Sequence, residues 1–262
     1  MNLLAGIFAG LLGLAFGSFL NVCIWRLPRH ESVAAGRSRC PDCGAEIRAW
    51  DNVPLLSFVL LRGRCRDCGT AISWRYPAIE LGTAALWLLC WLEFGISVQS
   101  LGMAVFCFLA LGLAAMDAER MLLPDAFTLP GIILGVVYSG ATCHRGWLVG
   151  AGMALVWTAA AAALILGIRG LYWLIRRREG MGLGDAKLLA MIAAWLGPEN
   201  TLLAFFLAVV GGAIYGVLWL AAQKGRGGAT ARLPLGSFLC AGAIYAAFQG
   251  RATIEWYLSL FR

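Results

Sequence analysis

Residues 98–117 read VQSLGMAVFCFLALGLAAMD, an apolar run with no charged side chain from Val98 to Met116, closed by an aspartate. About 20 mostly apolar residues in a helix cross the hydrocarbon core of a bilayer, so the stretch predicts a membrane helix with Asp117 at its end. The pattern recurs on both sides of it. Apolar segments also fall at 3–24, 78–92, 126–142, 147–168, 186–196, 201–222 and 236–249, which makes eight candidate spans. Two are borderline: 186–196 is short unless its helix begins deeper or tilts, and the last runs past Gln249 into an amphipathic tail. Composition agrees, with 61% hydrophobic and 13% charged residues in 262 and a mean hydropathy of +0.78. A soluble domain has no need of so much apolar surface. The expected fold is an all-α polytopic membrane protein of about eight transmembrane helices.

The segment from Leu3 to Ile24 has no basic residue ahead of it, no short apolar core and no small-residue cleavage site, so it reads as a retained helix rather than a signal peptide. Ala5, Ala9, Gly13 and Gly17 recur every fourth position and place a small-residue stripe on one face, where another helix can approach closely.

Orientation follows from Lys and Arg, because basic loops next to spans stay on the cytoplasmic side. Of the 21 basic residues, 18 fall in one alternating set of gaps, at 26–77, Arg120, 169–187 and 224–232; the other set holds Arg145, Arg251 and Arg262. This puts the N-terminus outside and the polar stretch from Arg26 to Pro77 inside. A net charge of +7 needs no nucleic-acid partner, since loops that set topology and meet anionic headgroups of the lipid bilayer account for it. The chain divides into a first helix at 1–25, a cytoplasmic four-cysteine loop at 26–77 and a polytopic core at 78–262.

Within that loop, Cys40-Pro41-Asp42-Cys43 and Cys65-Arg66-Asp67-Cys68 form two Cys-x2-Cys pairs separated by 21 residues. Zinc ribbons present four thiolates at such spacings. Gly44 and Gly69 follow the second cysteine of each pair, where a glycine lets the backbone turn tightly around a metal-bound sulfur. Two disulfides are the competing reading, but they rarely persist in a reducing cytoplasm. A loop this poor in apolar residues also needs a source of folding free energy, which bound metal supplies. Four cysteines leave no open coordination position, so the metal is structural. Cys23, Cys90, Cys107, Cys143 and Cys240 lie in or beside apolar runs and read as small packing residues.

Ionisable residues at membrane spans are functional candidates by default. Asp117 closes its run, and Asp185 sits in Met181-Gly182-Leu183-Gly184-Asp185-Ala186-Lys187 as the chain re-enters the membrane, 68 positions later. The topology brings both to cytoplasmic ends of spans. Two carboxylates sharing one proton are what aspartyl proteolysis uses: the ionised one takes a proton from attacking water and the protonated one donates to the scissile carbonyl. Gly182 and Gly184 would let a substrate backbone come close. Each aspartate alone also fits a helix cap or a solvated interface group. Leu123-Pro124-Asp125 reads as the turn opening the next span, which ranks Asp125 third, and Lys187 either holds Asp185 in place or meets lipid phosphate.

Taken together, Gly17-Ser18-Phe19-Leu20-Asn21-Val22, Arg26-Leu27-Pro28, both cysteine pairs, Ile72-Ser73-Trp74-Arg75-Tyr76-Pro77 with Glu80, Asp117 leading to Leu123-Pro124-Asp125, and Gly182-Leu183-Gly184-Asp185-Ala186-Lys187 resemble the bifunctional prepilin leader peptidase/N-methyltransferases. The resemblance implies an inner-membrane enzyme that removes short basic leaders from type IV prepilins or type II secretion pseudopilins, with Asp117 and Asp185 catalytic. It implies methylation of the new N-terminal residue with S-adenosylmethionine as donor, and a zinc-binding loop tied to that second activity. Trp25 stands where such proteins commonly carry a histidine. No Gly-x-Gly-x-x-Gly turn occurs, so no residue is assigned to the methyl donor. Two alternatives stay open on the residues: a Gly-x-Gly-Asp intramembrane protease of the presenilin type with unrelated substrates, and a transporter or assembly scaffold whose aspartates carry protons.

Overall fold

A computed structural model describes residues 3–178, 182–222 and 233–261. Met181, the basic residues at 224–232 and Arg262 lie outside the described residues. All regular structure among the described residues is helical, apart from two isolated bridges, Arg39 with Glu46 and Arg64 with Ala71. The eight helices are α1 (Leu3–Arg26), α2 (Leu56–Leu60), α3 (Arg75–Phe94), α4 (Val98–Arg120), α5 (Asp125–Thr142), α6 (Trp147–Arg176), α7 (Leu183–Ala222) and α8 (Leu235–Ser259). Among the described residues six, α1 and α3 to α7, are long and apolar enough to cross a membrane. α7 carries two of the apolar segments. Gly197, with φ +72° and ψ −178°, breaks it just before Pro198, and its first arm begins at Leu183, so Asp185 lies in the first turn. α8 is the last apolar segment, diluted by Gln249, Arg251 and Glu255.

The chain forms two compact units, residues 1–112 and 113–262. In the first, α1 packs on α3. The contact face runs through Gly13 and Gly17 of the small-residue stripe and through Gly6, whereas Ala5 and Ala9 are half-buried. A Cβ at Gly13 would come within 2.6 Å of the Ala84 Cα, and one at Gly17 within 2.7 Å of the Glu80 Cα. A polar bond crosses the same contact, Asn21 Nδ2 donating to the Tyr76 carbonyl at 3.0 Å, and a second ties the intervening loop to α3, the buried Glu80 carboxylate accepting the Leu55 N–H at 2.8 Å. That second bond anchors Leu55, whose φ of +57° is costly for a leucine.

The segment between α1 and α3 is held mainly by polar bonds. Arg26, the last residue of α1, donates to the carbonyls of Ser32, Ala35, Gly36 and Arg37 at 2.6 to 3.1 Å, and so gathers the start of the loop. Arg66 grips Asp51 with two bonds of 2.8 and 2.6 Å and holds its carboxyl below the usual carboxylate range. Trp25 lies under the Arg29 guanidinium, 3.5 Å from the ring centre. Trp50, Val59, Leu60 and Trp74 stay exposed, so the loop has little apolar core of its own.

In the second unit the first arm of α7 is the centre, with Leu188, Leu189, Met191, Ile192 and Ala194 inaccessible or nearly so. α7 packs against α5, α6 and α8. Two bonds tie α5 to it: Trp195 Nε1 donates to the Gly131 carbonyl at 2.8 Å, and Ser139 Oγ donates to the Ala194 carbonyl at 2.7 Å. In apolar surroundings such bonds fix helix position and rotation, because an unmade one leaves a polar group with no water to turn to. The first turn of α7 and its aspartate are thereby held in register with the start of α5.

Candidate active site

Asp117 is buried near the C-terminal end of α4, 5% exposed. The chain then turns through Met121 to Pro124 and enters α5 at Asp125. The first turn of α8 lies directly on the Asp117 carboxylate: the Ser237 N–H donates to Oδ2 at 2.7 Å, and Ser237 Oγ lies 3.1 Å from the same oxygen. A Cβ at Gly236 would stand 2.9 Å from both Cγ and Oδ2 of Asp117, closer than a real Cβ tolerates. Only glycine lets the helix come this near.

Asp185 is half-buried in the first turn of α7 and accepts the Gly182 N–H on Oδ2 at 3.1 Å. The supports of the two carboxylates converge on one side chain. Leu123 braces both of their supports, since Cβ atoms built at Gly184 and Gly236 would meet its side chain at 3.2 and 3.1 Å. Gly184 therefore makes room for Leu123 of its own chain, where the sequence suggested room for a substrate. Lys187 also differs from expectation. It pairs with Asp125 at 2.6 Å, joining α7 to the start of α5, and not with Asp185.

The four cysteines come together. The Sγ atoms of Cys40, Cys43, Cys65 and Cys68 lie within 4.8 Å of one another, and all four thiols are free. The two halves repeat the same turn: the Gly44 N–H donates to the Cys40 carbonyl and the Gly69 N–H to the Cys65 carbonyl, each at 3.0 Å. The Cys40 N–H bonds to the Ala45 carbonyl and the Cys65 N–H to the Thr70 carbonyl in the same way. Gly44 and Gly69 take φ of +73° and +72°, a left-handed conformation that explains the glycine after each pair. Zinc–sulfur bonds of about 2.3 Å give a tetrahedral edge of about 3.8 Å. Cys40 Sγ and Cys68 Sγ stand 3.8 Å apart. Cys68 Sγ also lies 3.3 Å from Thr70 Oγ1, so a hydroxyl stands beside one of the four sulfurs.

Comparison with known proteins follows this division. Residues 11–94 match the Bacterial Peptidase A24 N-terminal domain, and residues 104–217 match the Type IV leader peptidase family. The chain is 37% identical over 270 residues to a prepilin leader peptidase/N-methyltransferase of Burkholderia pseudomallei strain 1026b, covering 93% of this chain and 85% of the relative. It belongs to the prepilin leader peptidase family. Family relatives of the same name include one from Pseudomonas aeruginosa, 34% identical over 272 residues with 95% and 91% of the two chains covered. Another, from Klebsiella pneumoniae, is 42% identical over 212 residues, with 76% and 90% covered. No solved structure matches the chain.

Both aspartates fall inside the leader-peptidase match and all four cysteines inside the N-terminal match. Gly236 and Ser237 lie beyond either range, and sequence reasoning passed them over. Their signal was Pro234 ahead of a Gly-Ser pair at the opening of the last apolar segment, an ordinary helix start. Nothing in that pattern says that the helix begins on a carboxylate contributed from 120 positions earlier.

Proposed function

We propose that this family member cuts the short basic leader from type IV prepilins or type II secretion pseudopilins, and methylates the newly exposed N-terminal residue. Asp117 and Asp185 carry the cleavage. The observation behind this reading is that two carboxylates, from the end of α4 and the start of α7, stand on supports that share Leu123. Two like charges so placed in low dielectric do not both ionise, so the pair holds one proton. The ionised carboxylate takes a proton from water as the water oxygen attacks the scissile carbonyl, and the protonated one gives its proton to the carbonyl oxygen. When the tetrahedral intermediate collapses, the C–N bond breaks, the carboxyl protonated in the first step gives its proton to the leaving amine, a hydroxyl of the intermediate returns its proton to the other carboxylate, and the pair again holds one.

The basic-residue pattern supports cleavage at the cytoplasmic face of the bacterial inner membrane, with the N-terminus outside and the cysteine loop inside. The second activity belongs to residues 1–112 in this reading. Cys40, Cys43, Cys65 and Cys68 would hold a structural zinc ion, whose bound charge and four bonds supply folding free energy that the loop's exposed apolar residues do not. S-adenosylmethionine supplies the methyl group. Gly182 and the Lys187–Asp125 pair support the aspartates by fixing the first turn of α7.

Purified protein incubated with a prepilin and S-adenosylmethionine, followed by mass spectrometry of the pilin N-terminus, tests the whole reading at once. The expected product lacks the leader and carries one methyl group. An intact leader would reject the cleavage, and a mature, unmethylated terminus would reject the second activity.

A further inference from the structure

The two carboxylates of the proposed pair are not held alike. Asp185 lies in the first turn of α7, and Asp117, near the C-terminal end of α4, meets the first turn of α8, so a helix N-terminus faces each carboxylate. Asp185 accepts the Gly182 N–H, and Asp117 accepts the Ser237 N–H with the Gly236 N–H also facing its carboxylate. Among the described residues, Asp117 also faces a hydroxyl. Ser237 Oγ lies 3.1 Å from Asp117 Oδ2, the oxygen that already accepts the Ser237 N–H, and no hydroxyl is recorded against Asp185 among the described residues.

The Ser237 hydroxyl has a second acceptor, the Ala114 carbonyl one turn back on α4, at 2.9 Å. A hydroxyl carries one proton and donates to one acceptor at a time. When Asp117 is ionised the charged oxygen is the stronger acceptor and draws the hydroxyl proton. When Asp117 is neutral the hydroxyl turns to Ala114 and remains satisfied without moving a heavy atom. The arrangement thus stabilises the charged form of Asp117 and costs little in the neutral form. It also places two donors on Oδ2, so Oδ1 is the oxygen assigned to meet water in this proposal. Besides the pair itself, the buried thiol of Cys240 on α8 faces Asp117, and it is not a cation.

We propose that Ser237 is a positioning residue that makes Asp117 the proton-accepting member of the pair, with Asp185 the proton donor. The assignment rests on the two-aspartate reading above. Water loses its proton to Asp117 Oδ1 while its oxygen bonds to the scissile carbon, and the Asp185 proton passes to the carbonyl oxygen, so charge and protons balance across the step. The competing account is that Ser237 and Asp117 merely cap α8, in which case the hydroxyl is dispensable once the N–H bond is made.

Ser237→Ala, Ser237→Thr and Ser237→Val, made in the full chain and assayed on prepilin in detergent, separate these accounts. Losing a hydrogen bond to a charged group predicts a kcat roughly ten- to a hundredfold lower for the Ala variant, with KM within about twofold. Thr restores the hydroxyl and the rate, whereas Val, of the same shape, stays as slow as Ala. Methylation of a pilin supplied already cleaved reports that each variant is folded. Should Ala fail that control, the Thr and Val pair still isolates the hydroxyl. Wild-type kcat in Ser237→Ala, or a Thr variant as slow as Val, overturns the role of Ser237. Asp117→Asn run alongside keeps the tests apart, since full cleavage by that variant overturns the two-aspartate reading itself.

Discussion

The cysteine loop and the aspartate pair each gather reactive side chains at one point, and they do so by opposite means. The loop builds its cluster from two copies of one local turn, residues 39–46 and 64–71, in which each sulfur is aimed by backbone bonds within a few residues. The pair is built by helices: Asp117 comes from α4, Asp185 from α7, and the group that touches Asp117 from α8. Local turns concentrate information in a short motif and leave stability to a metal. Helix packing spreads the information along the chain and draws stability from buried apolar surface, as Leu188 to Trp195 of α7 show.

The largest break in this comparison is expected at the aspartates. Asp117→Ala or Asp185→Ala should each lower the cleavage rate about 10² to 10⁴-fold, and the double variant should be no slower than the worse single one, because the two carboxylates act as a unit. Steady-state rates on one prepilin check this, and additive losses would mean that the residues work independently. Next comes the loop. Cys43→Ser with Cys68→Ser should release zinc, measured by elemental analysis of the purified protein, and suppress methylation well before cleavage. Undiminished zinc would contradict the ligand set, and cleavage falling in step with zinc would show that the loop also presents the substrate.

A smaller effect is expected from Gly69→Ala, which forces a side chain into a left-handed turn that costs about 1 to 2 kcal/mol. Zinc affinity by competition with a chelator should fall about tenfold, and the equivalent change at Gly44 should match it, since the two turns are alike. Unequal losses would show that the two halves are not equivalent. The smallest effect belongs to the Lys187–Asp125 pair. It is solvent-exposed, so its coupling in a double-mutant cycle on thermal stability should lie below about 1 kcal/mol. A larger value would place the pair in a drier setting than its exposure indicates.

The same contrast explains what the sequence could tell. The helical class was legible because apolar runs long enough to cross a bilayer report themselves residue by residue, as in Val98 to Met116. The four cysteines and their glycines were legible because spacing and turn chemistry lie within a few positions. Asp117 and Asp185 stood out as charges at the edges of apolar runs. Their surroundings did not, because contacts made across helices leave no local pattern: Ser237 at Asp117, Leu123 beneath Gly184, and Lys187 on Asp125 rather than on Asp185. The small-residue stripe of α1 was legible at Gly13 and Gly17 but missed Gly6, which meets Trp91, because period alone does not fix which side of a helix its partner occupies.

The most direct test of the central claim replaces each carboxylate by its amide, which keeps shape and hydrogen bonding but removes proton exchange. Asp117→Asn and Asp185→Asn proteins, reconstituted in lipid, would be given prepilin and, separately, an already cleaved pilin with the methyl donor. Loss of leader removal in both variants, with methylation of the cleaved pilin intact, is the predicted result. Leader removal at the unaltered rate by either variant would contradict it.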